Sequence, residues 1–237
     1  MYSFESRVRY SEVDLERKLS VTGMINYLQD CSTFHSESLG VGIDYLKKQN
    51  RAWMLSSWQI VVDRYPELGE QIVVSTWPYD FKGIYGYRNF TICDQAGAYL
   101  VRANSIWFYL DTEAGRPVRI GEEAAGPYHP EEAPKLEMDY APRRIVLPEE
   151  YREGEPVTVV RHQIDTNHHM NNAQYVELAR EALTGECRIR ELRVEYKKAA
   201  VLGDVIIPRI YSQEGSTAVS LCDRCGNPYA VVWLRTV

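Results

Sequence analysis

Nine residues of this chain, Ile164-Asp-Thr-Asn-His-His-Met-Asn-Asn172, contain an acid, three amides and two imidazoles. Asp165, Asn167 and His169 alternate along the stretch, so an extended backbone would direct all three side chains to one side. A carboxylate can act as a general base, while an amide and an imidazole can orient a substrate. These residue types therefore favour the transfer of an acyl group to water.

A helix is predicted directly after this stretch. Tyr175, Val176 and Ala179 lie at helical spacing, with Asn172 as the expected N-cap and Gly185 as the stop. The side chains of Asn171 and Asn172 would then lie beside the free N–H groups of a helix N-terminus. Such groups favour negative charge and can stabilise a developing oxyanion.

The attacking group is not a serine or cysteine of the usual kind. The stretch contains neither residue, no Gly-x-Ser-x-Gly occurs in the chain, and Cys187 falls in a strand-like context. Direct attack by water, or by Asp165 itself, is therefore favoured. The structural alternative is that Asp165 and the asparagines only shape a turn and cap, since Asp and Asn are common in both.

Metal binding is disfavoured by the spacing of the candidate ligands. A calcium loop starting at Asp165 would need Gly and Glu where Met170 and Val176 stand. The neighbouring His168 and His169 seldom reach one zinc ion. The pair Cys222-x-x-Cys225 is interpreted as a hairpin tip, because its counterpart earlier in the chain has a single cysteine. We predict no metal and no cofactor.

Composition limits the class of partner and the compartment. The 237 residues carry a formal net charge of −6, which argues against a broad nucleic-acid surface. No uninterrupted apolar window of membrane-spanning length occurs, and the N-terminal residues do not resemble a signal peptide. Five cysteines, an odd number, suit a reducing compartment. These observations predict a cytoplasmic protein that binds neither membrane nor nucleic acid.

An internal repeat organises the chain. Three short matches recur in the same order: Asp14 with Asp165, Leu68-Gly69 with Leu202-Gly203, and Cys93-Asp94 with Cys222-Asp223. In the first copy, Ser20 is the expected cap of a helix that stops at Gly40, and strand-like runs follow. The extra material of that copy lies between its helix and its strands.

The repeat predicts an α+β protein in which each copy is one long helix wrapped by an antiparallel sheet. We expect an N-terminal repeat over 1–120, a linker rich in proline and glutamate over 121–155, and a C-terminal repeat over 156–237. Within the second copy, residues 157–164 are expected to form a strand that ends beside Asp165.

The sequence from Asp165 to Asn172, followed by Ala-Gln-Tyr175, closely resembles the Asp-x-Asn-x-His-Val-Asn-Asn-x-x-Tyr motif of acyl-(acyl carrier protein) thioesterases. The resemblance implies two tandem hotdog repeats and hydrolysis of the thioester between a fatty acyl chain and the phosphopantetheine arm of acyl carrier protein. It implies that Asp165, Asn167 and His169 belong to the active site, and it adds Tyr175 to the substrate-binding residues Asn171 and Asn172.

One departure from the family lies further along. The family commonly has Tyr-Arg-Arg-Glu-Cys where this chain has Tyr196-Lys-Lys-Ala199-Ala200, so the catalytic Glu is replaced. Asp165 would then be the sole base. Alternatives are an acyl-CoA thioesterase, which acts on the same pantetheine thioester, or a non-catalytic module that binds the acyl carrier.

The partner implied by the resemblance is acidic. Because acyl carrier proteins are strongly negative, a chain of net charge −6 needs a local basic patch, and Lys197 and Lys198 are the expected docking residues. The first repeat has Glu16 and Lys18 in place of Asn167 and His169, so we expect it to shape the acyl pocket and the interface. The sequence leaves a homodimer open.

Overall fold

The structure is a computed structural model that describes residues 1–183 and 188–236. The chain divides into two compact units, each of which combines helix with antiparallel sheet. Unit 1 consists of Met1–Ser56 and Ile60–Tyr140, and unit 2 consists of Ser57–Gln59 and Ala141–Val237. The predicted helix stop Gly185 and the predicted strand residue Cys187 lie outside the described residues.

The long helix of unit 1, α1, spans Val21–Ser38. The Ser20 side chain accepts a hydrogen bond from the Gly23 N–H at 3.0 Å, which caps the helix as predicted. At the other end, Gly40 has a φ of +72°, a conformation that glycine adopts without steric cost and that helix C-termini often require. The predicted start and stop of this helix are therefore confirmed.

The apolar stripe of α1 packs on strands of the unit 1 sheet, β1 and β3. The order across this sheet is β1-β3-β4-β5-β2, and β6 pairs with β5. A short second helix, α2, lies in the segment predicted to be additional to the repeat. The bounds are β1 Tyr2–Arg7, α2 Ile43–Lys48, β2 Arg51–Val62, β3 Gln71–Lys82, β4 Tyr85–Asp94, β5 Tyr99–Asp111 and β6 Arg116–Pro117.

Unit 2 repeats this arrangement with a shorter helix. Helix α4 packs on β11 and β12, and the sheet order is β9-β12-β11-β10-β7, with β8 paired to β10. The elements after β6 are α3 Glu122–Ala125, β7 Arg152–Glu153, β8 Val157–Thr158, α4 Asn172–Glu181, β9 Ile189–Tyr196, β10 Val205–Gln213, β11 Ser216–Cys222 and β12 Pro228–Thr236.

The repeated sequences fold into matching backbone turns. In unit 1, the Gly69 N–H donates to the Val8 carbonyl at 2.9 Å, and Gly69 has a φ of +81°. In unit 2, the Gly203 N–H donates to the Val159 carbonyl at 3.0 Å, and Gly203 has a φ of +88°. Both glycines adopt a left-handed conformation that other residues disfavour, which explains why the repeat keeps glycine there.

The strand expected over 157–164 is wrong for most of its length. Only Val157–Thr158 is strand, and a 3-10 turn covers Arg161–Gln163. The Gln163 side chain accepts a hydrogen bond from the Val160 N–H at 3.0 Å. This local bond satisfies a backbone group that a sheet would otherwise pair, and it turns the chain before Asp165.

The predicted linker, residues 121–155, packs against folded parts of the chain. Its first part belongs to unit 1, where the Trp77 indole N–H donates to the Pro134 carbonyl at 2.7 Å. Its later part belongs to unit 2, where the Ile145 N–H donates to Glu195 Oε2 at 3.1 Å. Among the described residues, no helix is long and apolar enough to cross a membrane.

Candidate active site

The Asp165 segment forms a tight turn. The Asp165 N–H donates to the His169 carbonyl at 2.8 Å, and the His168 N–H donates back to the Asp165 carbonyl at 3.1 Å. Ile164 and Met170 flank the turn as an antiparallel bridge, and His168 has a φ of +61°. The extended backbone expected here is therefore wrong, because the chain reverses within five residues.

The Asp165 carboxylate holds this turn through one of its oxygens. Its Oδ1 accepts hydrogen bonds from the backbone N–H groups of Asn167, at 2.8 Å, and His169, at 3.4 Å. Within residues 1–183 and 188–236, no partner is found for its Oδ2. The structural and catalytic interpretations of Asp165 are therefore compatible, since each would use a different oxygen.

The same turn occurs elsewhere in the chain. Asp14, the repeat counterpart of Asp165, accepts from the N–H groups of Glu16 and Lys18 at 3.0 and 2.9 Å. Asp94 and Asp223 hold the corresponding hairpin turns of the two units in the same way. An aspartate at the first position thus has the same structural role in four turns of this chain.

The second carboxylate oxygen distinguishes Asp165 from the two hairpin aspartates. Asp94 Oδ2 lies 3.9 Å from the Arg64 guanidinium, and Asp223 Oδ2 lies 3.6 Å from Lys198 Nζ. Asp165 Oδ2 has no such cation among the described side chains. It is therefore the oxygen able to accept a proton from a bound water molecule.

The side chains of Asn167 and His169 are also available to a ligand. Asn167 is exposed and His169 is half-buried, and neither side chain has a hydrogen-bond partner in the described parts of the chain. In the matching turn of unit 1, Lys18 forms an ion pair with Glu67. Of the two turns, as far as the described residues show, the one in unit 2 alone presents an amide and an imidazole without hydrogen-bond partners.

The residue that caps α4 is Asn171, one position before the predicted cap. Asn171 Oδ1 accepts from the Ala173 N–H at 2.9 Å, and Asn172 is the first helical residue. Asn171 has a ψ of 140°, which is not a helical value, so Asn171 is the cap and the helix begins at the next residue. The Asn171 side chain therefore occupies one of the N–H groups that were expected to stabilise an oxyanion.

Tyr175 joins the turn to the segment after β9 that differs from the family motif. Its side chain is buried, and its hydroxyl accepts from the Ala200 N–H at 2.8 Å. The Met170 N–H donates to the Ala200 carbonyl, also at 2.8 Å. Ala200 therefore lies directly against the candidate turn, and Ala199 is its neighbour in the chain.

The pKa of the Tyr175 hydroxyl is raised, mainly by burial, while the Ala200 N–H opposes the shift and the nearby Asp165 carboxylate adds to it. The Tyr196 hydroxyl donates to the Asn172 carbonyl at 2.9 Å, and the rings of Tyr175 and Tyr196 meet edge to face. Through these contacts the two tyrosines support the turn and the first residue of α4. Direct contact between Tyr175 and substrate stays a prediction.

The two lysines of the expected docking patch are each paired with an acid. Lys197 Nζ lies 2.8 Å from Glu195 Oε1, and Lys198 Nζ lies 3.6 Å from Asp223 while stacking on the Tyr229 ring. Glu195 precedes Lys197 by two residues, a spacing that places both on one face of a strand and could have predicted the pair. The pairing of Lys198 with Asp223 could not be predicted in this way, because the two residues are distant in the sequence.

No group of three or more His, Cys, Asp or Glu side chains that could hold a metal ion is found in the described ranges. A groove of about 580 Å³ occurs in unit 1, but it contains none of the predicted site residues. It is lined by Glu122, Ala125, Gly126, Pro127, His129 and Pro130.

The fold and the turn define a tandem hotdog protein of α+β class. Solved structures with the same fold include an acyl-ACP thioesterase from Bacteroides thetaiotaomicron, with a TM-score of 0.90 and 22% sequence identity. The alignment covers 99% of this chain and 97% of that one. The 12:0-ACP thioesterase from Umbellularia californica has a TM-score of 0.78 and 22% identity, with 98% and 96% covered.

The family model of the acyl-ACP thioesterase N-terminal domain matches residues 1–128, and that of the C-terminal domain matches residues 148–224. The chain belongs to the acyl-ACP thioesterase family, as its motif indicated.

Relatives with similar sequences include plant proteins. A chloroplastic palmitoyl-acyl carrier protein thioesterase of Arabidopsis thaliana is 26% identical over 235 residues, which is 91% of this chain and 54% of the relative. A chloroplastic acyl-(acyl-carrier-protein) hydrolase of Cuphea viscosissima is 29% identical over 181 residues, which is 71% of this chain and 43% of the relative. The chain thus spans about half the length of these relatives.

Proposed function

We propose that this protein hydrolyses the thioester of fatty acyl-acyl carrier protein and releases a free fatty acid. One observation carries the proposal: both units contain the same aspartate turn, but among the described residues only the turn of unit 2 combines a carboxylate oxygen that has no partner with an amide and an imidazole that also have none. Family membership supports the same chemistry, because the relatives are named for it.

In the proposed reaction, a water molecule binds to Asp165 Oδ2 and gives up a proton as its oxygen adds to the thioester carbonyl. The tetrahedral intermediate then collapses, the carbon–sulfur bond breaks, and the proton passes to the leaving pantetheine thiolate. Asn167 and His169 orient the water and the acyl group. The turn supports this division of labour, since Oδ1 keeps the carboxylate fixed while Oδ2 reacts.

Asp165 carries the base role alone in this proposal. Ala199 and Ala200 place no carboxylate against the turn, although Ala200 bonds to both Met170 and Tyr175 there. Attack by Asp165 itself would form an acyl anhydride instead. Single-turnover hydrolysis in ¹⁸O-labelled water separates the two routes, because only the anhydride route can leave ¹⁸O in the aspartate.

The proposed partner is acyl carrier protein with its fatty acyl-phosphopantetheine. Lys197 and Lys198 remain the proposed docking residues, and the exposed part of each side chain, 37% and 57%, supports this role despite their acidic neighbours. We also propose a cytoplasmic protein and leave its assembly as a homodimer to measurement by light scattering. The plant relatives are chloroplastic by name, so cell fractionation is the direct test of the compartment.

The decisive experiment measures turnover of three substrates with one acyl chain: acyl-acyl carrier protein, acyl-CoA and acyl-pantetheine. Released thiol is followed spectrophotometrically, and we expect the highest kcat/KM for the carrier protein. A higher kcat/KM for acyl-CoA would identify an acyl-CoA thioesterase. Tight binding of acyl-acyl carrier protein without release of thiol would identify a non-catalytic module, and either result would overturn the proposal.

A further inference from the structure

The segment after β9, residues 197–204, is bonded to the end of the turn at Asp165. The Ala200 carbonyl accepts a hydrogen bond from the Met170 N–H at 2.8 Å. Met170 directly follows His169, whose side chain orients the water and the acyl group in the proposed reaction. A shift of this segment would therefore move the groups on which the reaction depends.

Unit 1 contains the same backbone bond. There the Leu19 N–H donates to the Pro66 carbonyl, also at 2.8 Å. Pro66 stands two residues before Leu68, as Ala200 stands two residues before Leu202, so the two acceptors correspond in the repeat. Proline has no N–H and a fixed φ, and the segment of unit 1 therefore needs no further hydrogen bond at this point.

An alanine at the same point does need one. Ala200 is completely buried, so its N–H requires an acceptor inside the protein, and the Tyr175 hydroxyl accepts from it at 2.8 Å. In α1 the corresponding residue is Met24, which lies four residues after the cap Ser20, as Tyr175 lies four residues after the cap Asn171. Unit 1 thus combines a proline with a methionine where unit 2 combines an alanine with a tyrosine.

A second tyrosine, Tyr229, holds both ends of the segment. Its carbonyl accepts from the N–H groups of Lys197 and Lys198 at 2.8 and 3.1 Å. Its hydroxyl is hydrogen-bonded to the Asp204 side chain, which also accepts from the Val201 N–H at 3.0 Å. Burial and this hydrogen bond raise the pKa of Tyr229 to about 12, so the hydroxyl keeps its proton at neutral pH.

The corresponding residue of unit 1 has no hydroxyl. It is Leu100, whose carbonyl accepts from the N–H groups of Asp63 and Arg64 at 2.9 and 3.2 Å. The fold therefore forms this backbone contact without a tyrosine. Both tyrosine hydroxyls are additions to the repeated framework, and they occur in the unit whose turn carries the proposed site.

We propose that Tyr175 and Tyr229 are positioning residues for thioester hydrolysis, because they fix the segment 197–204, which in turn fixes the Asp165 turn through Ala200. This inference rests on the proposed function. It gives Tyr175 an indirect role instead of the expected contact with substrate. Since small displacements of reacting groups strongly reduce the rate, loss of either hydroxyl should lower kcat while substrate still binds.

Tyr175→Phe and Tyr229→Phe test the proposal on the full chain, since each removes a hydroxyl and keeps the ring. Hydrolysis of acyl-acyl carrier protein is measured at a temperature where circular dichroism shows every variant to be folded. We expect kcat to fall at least tenfold in each variant, with KM within threefold of the wild type. Tyr27→Phe is the matched control, because it removes a hydroxyl of a buried tyrosine on α1 that donates to Glu12 at 2.7 Å. It should lower the melting temperature without changing kcat.

A rescue experiment distinguishes positioning from direct contact with substrate. Ala200→Pro gives unit 2 the residue that unit 1 has at this position. Combined with Tyr175→Phe, it removes the N–H that the hydroxyl had bound, so we expect kcat to return to within threefold of the wild type. If kcat of the folded double variant stays as low as that of Tyr175→Phe, the hydroxyl acts on the substrate itself, and its positioning role is overturned.

Amide hydrogen exchange of Met170 tests the same contact without turnover, and it decides the role of Tyr175 if the double variant does not fold. Both single variants should exchange this N–H at least tenfold faster than the wild type, because its acceptor is the Ala200 carbonyl. An unchanged kcat or exchange rate in either variant would overturn the role of that tyrosine, and an equal loss of kcat in Tyr27→Phe would overturn both. A wild type that does not hydrolyse the thioester would refute the proposed function instead, and the exchange of Met170 would still show whether the tyrosines hold the turn.

Discussion

Replacing Asp165 by asparagine separates the two roles that its carboxylate combines. An amide oxygen can still accept the hydrogen bonds that Oδ1 receives from the Asn167 and His169 N–H groups. The other end of the amide cannot take a proton from water. We therefore expect Asp165→Asn to fold normally and to lose thioester hydrolysis.

The size of the loss follows from the role assigned to Oδ2. General-base assistance contributes about 10²- to 10⁴-fold to rate, and no second carboxylate is present at Ala199 or Ala200, so kcat should fall by at least that order. Stability should respond differently. Asp165→Ala removes the acceptor of two backbone N–H groups near solvent, which should cost about 1 to 2 kcal/mol. For a chain of this length, that corresponds to a melting temperature lower by about 2 to 8 °C.

The matched control lies in the first repeat. Asp14 accepts the same pair of backbone N–H groups, from Glu16 and Lys18, in a turn that lacks the amide and imidazole. Asp14→Asn should leave kcat unchanged, and Asp14→Ala should lower the melting temperature by an amount similar to that of Asp165→Ala. The assay follows thiol release from acyl-acyl carrier protein, with thermal melts of all four variants in one buffer.

One result would refute this reasoning. If folded Asp165→Asn hydrolyses acyl-acyl carrier protein at the wild-type rate, the segment from Asp165 to Asn172 is a structural turn and helix cap, equivalent to the turn at Asp14. Equal losses of kcat in Asp165→Asn and Asp14→Asn would also defeat it, because a general effect on the fold would then explain both.

Three further predictions concern neighbouring groups. Ala199→Glu should raise the rate of the wild type or partly restore that of Asp165→Asn, because the neighbouring Ala200 bonds directly to the turn. An unchanged kcat in both backgrounds would show that a glutamate at position 199 does not assist the reaction. Reversing the charges of Lys197 and Lys198 should raise KM for acyl-acyl carrier protein more than for acyl-pantetheine, and more at low salt, whereas equal effects on the two substrates would exclude docking there. Buried His35 has a pKa lowered to about 3, below its unfolded value of about 6.5, so its contribution to stability is complete above pH 6.5 and is lost as pH falls toward 3. Urea unfolding at pH 7 and pH 5 should show a loss of about 2 kcal/mol that is absent in His35→Gln, and the same loss in the variant would disprove this assignment.

The sequence by itself determined the features that depend on neighbouring residues in the chain. Ser20 and Gly40 bound α1 as predicted, since a cap needs only a side-chain oxygen at one end and a left-handed residue at the other. The repeated aspartates at 14 and 165 indicated a duplicated unit, because each makes its hydrogen bonds within five residues. Hydrogen bonds of this local kind can be predicted from the sequence, because they do not depend on residues distant in the chain.

The tertiary structure alone decided which of these groups are free to react. Whether an aspartate oxygen meets a cation depends on residues distant in sequence, as the contact of Asp223 with Lys198 shows, and Asp165 Oδ2 lacks such a partner among the described residues. The burial of Arg88 beside His35 likewise results from packing a strand against a helix 53 residues away. A charge in the sequence has no fixed strength, because its solvation and its partners are set by the folded chain.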